Sequence, residues 1–378
     1  MHQSGQPGCA LAIAWDGEPV LEAAFGQADI ETGEPLTPRH RFRVASHSKT
    51  FTAVALLRLR ELGRLRLDDP LGRHLDGLEP RVAAVTIAQV LSHTAGLVRD
   101  GADSRQWTGL RGFKQGAEIR DELAGGPSIE PGTRMKYSNH GFALLGEIVA
   151  TVTGEAYADW VAREVIAAAG LSETLPDGPV PAGMPLARGH GGLLPLGRRV
   201  SIPSGAATHA VAPAGGFVST AADLARFFGG LDPAAPQGLL SVASRRELTR
   251  PGWPVPRFAA GWSYGAGVIG GRFGAGVIGG RFGADGWRWI GHSGVFPGTQ
   301  TRSACVLGEH LAISVLTNAA DGLSTPWLEG IARVLQACAA GGAPDPRAAG
   351  WRGRWWSPWV AVDLLPVGGQ ALVLQPSQ

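Results

Sequence analysis

The chain is poor in cysteine and has no long apolar run, and each shortage excludes a class of protein. The three cysteines, Cys9, Cys305 and Cys338, are far apart and lie in apolar surroundings, which favours buried free thiols over a disulfide. No stretch reaches the roughly 18 uncharged apolar residues that a bilayer-spanning helix needs. We therefore expect neither a disulfide framework nor a membrane span.

The chain also has no large excess of positive or negative charge. The formal net charge is +2 over 378 residues, without the basic runs that would neutralise a phosphate backbone, so nucleic acid is not expected as a partner. No cluster of His, Cys, Asp and Glu has metal-ligand spacing, so no metal and no other cofactor is predicted. No export signal is evident, which predicts a cytoplasmic protein as given, or a periplasmic one if a leader has been removed.

Strand patterns occur at both ends of the chain, and helical patterns occur between them. Residues 9–26 alternate in polarity around Asp16-Gly17, which predicts a hairpin. Later strands are predicted over 287–295, 301–308 and 310–318. Helical spacing predicts helices over 46–62, 86–97, 139–153, 156–169, 220–228 and 325–340. The pattern indicates a sheet (1–64 and 212–345) split by a helical insertion (65–211).

Lysine is rare in this chain, which draws attention to the position where one is kept. Only three of the 34 Lys and Arg residues are lysine, and Lys49 follows Ser46 by three positions. On a helix the two side chains share a face. A serine nucleophile needs a proton acceptor, which a desolvated lysine can be and an arginine cannot. This motif alone leaves open a non-catalytic alternative, in which the serine is a helix N-cap and the lysine is solvated.

Two further segments carry residues with catalytic potential. Tyr137 and Asn139 flank Ser138 just before a helix, and a phenol beside a lysine can move a proton. His292 and Ser293 lie on a predicted strand, where a following glycine, Gly294, would let a substrate backbone approach closely. The alternatives are a buried structural tyrosine and a strand-end turn. The motif G-x-G-x-x-G at 265–270 leads into 271–274, which cannot easily open a helix, so no dinucleotide site is predicted.

Taken together and in order, these segments resemble those of the serine β-lactamase and penicillin-binding protein superfamily. LSHTAGL at 91–97 and PAGGFVSTAADLARF at 213–227 are similar to segments found at the corresponding places. The resemblance covers about residues 6–340. It is strongest to the branch of class C β-lactamases, D-alanyl-D-alanine carboxypeptidases, D-aminopeptidases and esterases. The implied fold is α/β (α+β), an antiparallel sheet flanked by helices with a large helical insertion.

The resemblance also implies roles for particular residues. Ser46 would be acylated, Lys49 would be its proton partner, and Tyr137 would act as general base and then acid. Asn139 would orient the substrate amide, and His292 would stand where many β-lactamases have the lysine of K-T-G. The strand residues expected to bind substrate are His292, Ser293, Gly294 and Val295. The backbone N–H groups of Ser46 and Val295 would form an oxyanion hole, whereas His93 is expected to be structural.

The predicted function is a serine hydrolase that forms an acyl-enzyme with an ester, a small amide or a D-amino-acid peptide. Two alternatives stay open: a β-lactamase proper, and a binding protein or sensor that acylates without turnover. The expected partner is a small-molecule substrate, and the oligomeric state is left open. Because histidine has an ordinary pKa of about 6.5, we expect weak recognition of carboxylates at His292, improving at lower pH.

Three features depart from the family pattern. The chain begins almost at the first strand, without the N-terminal helix of relatives, so one sheet face is expected to be partly uncovered. The hydrolase domain is predicted over 1–345, and the tail, 346–378, resembles the first strands of a C-terminal β domain. Finally, GAGVIGGRF occurs twice, at 265–273 and 274–282. We expect one copy to pair in the sheet and the other to bulge, because a nine-residue insertion would reverse strand facing.

Overall fold

The structure is a computed structural model, and it confirms the antiparallel sheet that the two ends of the chain predict. It describes residues 4–203, 205–250, 253–254, 263–264, 269–272, 287–356 and 361–374. The strands are β1 Gly8–Trp15, β2 Glu18–Asp29, β3 Glu34–Pro35, β4 Phe42–Arg43, β5 Gly189–His190, β6 Ser201–Ile202, β7 Val218–Ser219, β8 Trp253–Pro254, β9 Ser263–Tyr264, β10 Ile269–Arg272, β11 Arg288–Phe296, β12 Thr299–Val306, β13 Leu311–Thr317, β14 Gly353–Trp356, β15 Ala361–Val367 and β16 Gln370–Leu374.

The main sheet joins the first and last strands of the fold. Its order is β3-β2-β1-β13-β12-β11-β10-β9-β8, and the paired strands run antiparallel. The predicted hairpin is confirmed, since β1 and β2 meet at Asp16 and Gly17, both with positive φ. Strand β1 also pairs with β13, so that Cys9 lies opposite Thr317. Strands β1–β3 and β8–β13 therefore build one sheet, and most of the helical residues lie between these two sets of strands in sequence.

Several of the helices begin where a side chain caps the first backbone N–H groups. Ser138 caps one helix by accepting the N–H of Gly141, and Thr220 caps another through Asp223. The α-helices are α1 Ser48–Glu61, α2 Pro80–Ala84, α3 Ile87–Leu91, α4 Gly116–Leu123, α5 Asn139–Thr153, α6 Tyr157–Val161, α7 Ala212–Gly215, α8 Ala221–Gly229, α9 Val242–Leu248, α10 Ser324–Gly341 and α11 Pro346–Ala349.

Two of the predicted helices differ from the observed ones. The helix predicted over 86–97 is only α3, which ends at Leu91, because the chain turns at His93 with φ +58°. The helix predicted over 156–169 divides into α6 and a π-helical turn over Ala162–Ala167. The predictions over 139–153 and 220–228 agree with α5 and α8. The α3 difference matters because it places His93 against Tyr137.

Helix α1 is buried along most of its length and lies at the centre of the fold. It packs against α5 and α7. Phe51 of α1 stacks on Phe227 of α8 with 3.9 Å between ring centroids, and α8 packs on β1, β12 and β13. Burying a side chain such as Phe51 contributes about 2 kcal/mol. Apolar contacts thus hold α1 near its start, and the chain that enters its first turn can carry a reactive group in a set position.

The chain divides into two compact units. One comprises Met1–Arg272 with Arg288–Leu328, and the other comprises Phe273–Trp287 with Glu329–Gln378. In the second unit β14, β15 and β16 form a three-stranded antiparallel sheet. The division into a domain over 1–345 and a tail over 346–378 stays a prediction.

The repeated segment is described only in part. Within the first copy Ile269–Arg272 forms β10 and pairs with β11, as expected of one copy. The second copy, 274–282, lies outside the described residues, so its bulge stays a prediction.

Two further features concern the cysteines and the length of the helices. Cys9 and Cys305 are buried free thiols, whereas Cys338 is only half-buried, contrary to expectation. Across the parts of the chain that the structure describes, no helix combines the length and the apolar character required to cross a membrane.

Candidate active site

Ser46 lies in a tight turn that precedes helix α1. The turn, Ala45–His47, is a single turn of 3-10 helix, which we call the nucleophile turn. Ala45 has φ +47°, a left-handed conformation that costs a non-glycine residue about 1 kcal/mol or more. Ser46 is half-buried, whereas Ala45 and His47 beside it are buried. The fold therefore holds a strained turn that leaves this serine partly open to solvent.

Ser48, the nearby serine, is occupied by structural hydrogen bonds. Its hydroxyl donates to the carbonyl of Ala45 at 2.6 Å and accepts the N–H of Phe217 at 3.0 Å. It is fully buried. Ser46 is therefore the better candidate for a nucleophile, as the spacing predicts.

Lys49 brings a buried amine to Ser46. Its Nζ lies 3.4 Å from Ser46 Oγ and donates to the carbonyl of Ala214 at 2.6 Å. Burial lowers the pKa of Lys49 well below its ordinary value; the charge of Asp100 opposes this shift and that of Arg99 adds to it. A lysine in this environment gives up its proton more readily than a solvated one and can accept a proton from serine.

Tyr137 approaches Ser46 from helix α5's N-terminal side. Its hydroxyl donates to Ser46 Oγ at 2.9 Å, and Lys49 Nζ lies 4.6 Å from the centroid of its ring. Burial raises the pKa of Tyr137 above its ordinary range. The phenol is therefore protonated at neutral pH. Because Tyr137 donates to Oγ, the serine's own proton is directed elsewhere, and Lys49 Nζ is within reach.

His93 supports Tyr137 from behind. The two rings pack together at a tilt of 35° with 4.1 Å between centroids, and His93 Nδ1 accepts the N–H of Ser138 at 3.1 Å. Burial lowers the pKa of His93 well below its ordinary value, so the ring is neutral. These contacts agree with the structural role expected for His93.

Asn139 is oriented by a carboxylate that sequence reasoning missed. Its Nδ2 donates to Asp100 Oδ1 at 2.7 Å, and Trp107 donates to the same oxygen at 2.8 Å. Because the amide nitrogen is used in this way, the carbonyl oxygen of Asn139 is the atom left to accept a substrate N–H. No motif marks Asp100, which lies in the segment between α3 and α4.

His292 lies on β11 in a buried and neutral state. Its Nδ1 is 2.7 Å from the carbonyl of Ser293, which requires Nδ1 to carry the proton. Burial lowers the pKa of His292 well below its ordinary value, and the charges of His47 and Lys49 add to this. The expected gain of carboxylate binding at mildly acid pH is therefore wrong, because the ring does not become charged there.

Gly294 is needed because the nucleophile turn packs against β11. A Cβ at this position would lie 2.2 Å from the carbonyl oxygen of Val44 and 2.4 Å from Thr301 Oγ1. The glycine thus makes room for the chain itself, whereas the sequence suggested room for a substrate backbone. On the same strand Ser293 is half-buried and Val295 is 65% exposed.

The structure therefore brings the residues predicted for the site into one place. The side chains of Lys49 and Tyr137 both contact Ser46. Asn139 is bonded to Asp100, whose charge acts on the pKa of Lys49. Strand β11 joins them through Val44 and Gly294. Within the described residues, no group of three or more His, Cys, Asp or Glu side chains is arranged to hold a metal ion. The arrangement of Ser46, Lys49 and Tyr137 can accept, hold and return the serine proton.

Comparison with known proteins adds the family context. The family model described as Beta-lactamase matches residues 1–335. The chain is 30% identical over 346 residues to Penicillin-binding protein 4 of Amycolatopsis lactamdurans, covering 87% of this chain and 84% of that protein. It is 28% identical over 162 residues to Protein flp of Staphylococcus aureus, covering 41% of this chain. That match spans only 32% of the relative's length.

Solved structures show the same fold. The octameric penicillin-binding protein homologue from Pyrococcus abyssi has a TM-score of 0.77 at 22% identity, covering 100% of this chain and 86% of that one. A D-stereospecific amidohydrolase from Streptomyces sp. has a TM-score of 0.71 at 22% identity, covering 90% of this chain and 96% of that one. These likenesses confirm the α/β fold with an antiparallel sheet and flanking helices.

Proposed function

Because the chain belongs to the beta-lactamase family, we propose that it hydrolyses esters or small amides, including D-amino-acid peptides, through an acyl-enzyme on Ser46. One observation carries the proposal. Ser46 Oγ lies between a buried lysine amine at 3.4 Å and a phenol that donates to it at 2.9 Å. A nucleophile with a proton acceptor on one side and a proton donor on the other is equipped for both halves of acyl transfer.

The proton path follows from the hydrogen-bond directions. Ser46 Oγ attacks the substrate carbonyl as its proton passes to Lys49 Nζ. Tyr137 then gives its proton to the leaving group as the C–O or C–N bond breaks, and Lys49 returns a proton to Tyr137. Water releases the acyl group by the reverse path. Lys49 is thus the first acceptor, and Tyr137 acts chiefly as the acid.

The developing negative oxygen is assigned to two backbone donors. The N–H groups of Ser46 and Val295 form the proposed oxyanion hole, and Gly294 allows the two chain segments that carry them to approach. Loss of one such donor raises the barrier by about 2.7–4 kcal/mol. Asn139, held by Asp100, is proposed to accept the N–H of an amide substrate.

The charge state of the site favours substrates without a required carboxylate. His292 occupies the place where many β-lactamases offer a lysine, and its burial keeps it neutral. We therefore expect short-chain esters and D-amino-acid amides to be good substrates and cephalosporins to be slow ones. The relatives named for penicillin binding and for D-stereospecific amide hydrolysis support this range.

The test combines active-site labelling with a substrate panel. A fluorophosphonate followed by intact-mass and peptide analysis should label Ser46, and Ser46→Ala should abolish turnover of p-nitrophenyl esters and D-amino-acid anilides. The exposed Ser104→Ala serves as the control and should behave like the wild type. A label on Ser48, or activity retained in Ser46→Ala, would contradict the proposal.

The same panel separates the two alternative functions. A product burst followed by steady turnover supports the hydrolase, whereas one equivalent of product and no further release identifies a sensor. Nitrocefin hydrolysis at a rate near that of the best ester identifies a β-lactamase proper. Slow nitrocefin hydrolysis beside rapid ester turnover is the expected result.

A further inference from the structure

His47, the residue after the proposed nucleophile, is a buried histidine that the proton path does not use. Its Nδ1 lies 2.9 Å from the carbonyl oxygen of Val44, and its Nε2 lies 3.0 Å from Ser303 Oγ. The ring is fully buried and meets Phe228 edge-on, with 5.7 Å between centroids. A polar ring with both nitrogens in contact and no exposure is held in one orientation.

The hydrogen-bond partners of His47 decide which of its ring nitrogens donates and which accepts. A carbonyl oxygen can only accept, so Nδ1 carries the proton and donates it to Val44. Nε2 must then accept from Ser303, and Ser303 in turn accepts from Ser314 at 2.8 Å. Ser303 and Ser314 face each other on β12 and β13. The chain of donors thus runs from the centre of the sheet into the nucleophile turn.

A second contact links the same ring to strand β11. Thr301 Oγ1 lies 3.3 Å from His47 Nδ1 and donates to the carbonyl of Gly294 at 3.4 Å. Val44, which His47 holds, packs directly against Gly294. His47 therefore lies between the two chain segments whose N–H groups form the proposed oxyanion hole.

We propose that His47 is a positioning residue that fixes the spacing between the backbone N–H groups of Ser46 and Val295. This inference rests on the proposed acyl-enzyme mechanism. Through its bond to Val44, His47 acts on the nucleophile turn. Through Thr301, a residue of β12 that bonds to Gly294, it acts on β11. It touches neither the substrate nor the reacting atoms. Its effect is on the stabilisation of the negative oxygen, which an oxyanion hole provides only at the correct donor spacing.

The ring keeps these hydrogen bonds throughout the working pH range. Burial lowers the pKa of His47 to about 3; the bond to Val44 opposes this shift and the charge of Arg302 adds to it. A protonated Nε2 could not accept from Ser303. Neutral His47 therefore provides a fixed geometry, and its role needs no change of charge.

The experiment compares oxygen and sulfur at the position of the developing anion. His47→Leu removes both hydrogen bonds, His47→Asn keeps a donor near Val44 but cannot reach Ser303, and Ser303→Ala removes only the link to the sheet. Each variant is measured with p-nitrophenyl acetate and with its thionoester analogue. Rates are expressed per active site, titrated to completion with a fluorophosphonate. His74→Gln, a change at a mostly buried histidine bonded to Asp69, is the control.

We expect His47→Leu to lower kcat for the ester by about 10- to 100-fold with KM nearly unchanged, which is less than complete loss of one donor. The preference for ester over thionoester should fall, because sulfur depends less on the hole. His47→Asn should fall between Leu and wild type, and Ser303→Ala should add little in the His47→Leu background. His74→Gln should lower thermal stability without changing kcat.

A purely structural His47 would give a different pattern. Wild-type kcat per titrated site in His47→Leu, or equal losses on ester and thionoester, would overturn the inference. If the Leu variant does not fold, the Asn and Ser303→Ala variants decide the same question. Failure of the proposed function is distinguishable, because it would appear in Ser46→Ala and in the labelling site, whatever His47 does.

Discussion

Two buried lysines in this chain have opposite surroundings. Lys49 contacts a carbonyl and Ser46, and among the described residues no carboxylate lies within ion-pair distance of its Nζ. Lys114 donates to both carboxylate oxygens of Glu122, at 2.7 and 2.6 Å. Both side chains are fully buried. Burial with a carboxylate thus makes a structural ion pair, and burial without one makes a candidate base.

The two regions are joined by Asp100. Lys114 also donates to the backbone carbonyl of Asp100, whose carboxylate holds Asn139 in the catalytic centre. Glu122 receives His140 as well, at 2.6 Å. We call Lys114, Glu122, His140 and Asp100 the supporting network. It stabilises the fold around the site, whereas the site itself contains a buried amine that opposes folding.

Exchanging each lysine for arginine is the strongest test of whether Lys49 and Lys114 have different roles. Lys49→Arg keeps a cation but removes the ability to release a proton, so kcat on esters should fall by about 10³-fold. Lys114→Arg should change kcat only a few-fold, since its role is an ion pair. Steady-state kinetics per titrated site measure both. Full activity in Lys49→Arg would show that its amine does not move the proton.

Replacing each lysine by methionine should change stability in opposite directions. Lys114→Met leaves Glu122 without its lysine partner, with only His140 still bonded to it, and should destabilise the fold by about 3 kcal/mol. Lys49→Met removes an uncompensated buried amine and should stabilise it by about 1 kcal/mol. The half-buried Lys136→Met is the control and should stay within about 0.5 kcal/mol of wild type. Urea unfolding gives all three values, and a loss in Lys49→Met would end the distinction.

Tyr137→Phe tests the catalytic region without altering its charge. It removes the hydroxyl that donates to Ser46, so kcat should fall by about 10²-fold while the ring still packs on His93. The matched change in the second region is Trp107→Phe, which removes another donor to Asp100. Its effect on kcat should be smaller and confined to amide substrates. Ester kinetics and anilide kinetics compared side by side check both expectations.

The buried histidines and the Glu122 carboxylate should lose their stabilising effect in different pH windows. His47 has a folded pKa of about 3, below its unfolded value of about 6.5, so the unfolded state binds more protons as pH falls below that value. From pH 7 to 5 this removes about 2 kcal/mol. His47→Leu should reduce the slope without abolishing it, because burial also lowers the pKa of His93, His292 and His140. Burial alone would raise the pKa of Glu122, but bonds from Lys114 and His140 lower it. Its contribution is therefore lost at lower pH, below an unfolded value of about 4.3.

Urea unfolding at several pH values separates these windows. The wild type should weaken first below about pH 6.5 and again below about pH 4.3. Glu122→Gln should reduce only the second step, because other carboxyl groups such as Asp69 and Asp321 also have lowered pKa values. An unchanged second step in Glu122→Gln would show that Glu122 does not contribute in this window.

The smallest effect is expected from placing a lysine in the catalytic region. His292→Lys adds an amine at a buried position, and desolvation will limit its charge. We expect a gain of about threefold in kcat/KM for a carboxylate-bearing ester, relative to its methyl ester, because only part of the amine is charged. An equal change for both esters would exclude carboxylate recognition at this position.

The sequence predicted the parts of the site that depend on local spacing. Ser46 and Lys49 are three positions apart and meet where the nucleophile turn enters α1, and Tyr137 precedes the helix that Ser138 caps, so their motifs are readable without the fold. The main sheet was predicted for a similar reason, since its strands alternate or form continuous apolar runs.

What was not predicted depends on contacts between distant segments. Asp100 is meaningful only because Asn139 and Trp107 reach it, and Gly294 only because Val44 packs on it. The end of α3 was missed because a left-handed histidine leaves no periodic signal. The pKa of His292 depends on burial, which the strand pattern alone did not give.

The bond between His47 and Ser303 also bears on the order in which the molecule gains activity. The two residues are 256 positions apart in the chain. Contacts of such separation form late, because a long loop must close before they do. During refolding, helix formation should precede the ability to react with a fluorophosphonate, and a pulse of this reagent would count only chains whose β12 has docked. The rate at which refolding chains become able to react with the reagent therefore reports when the sheet is complete.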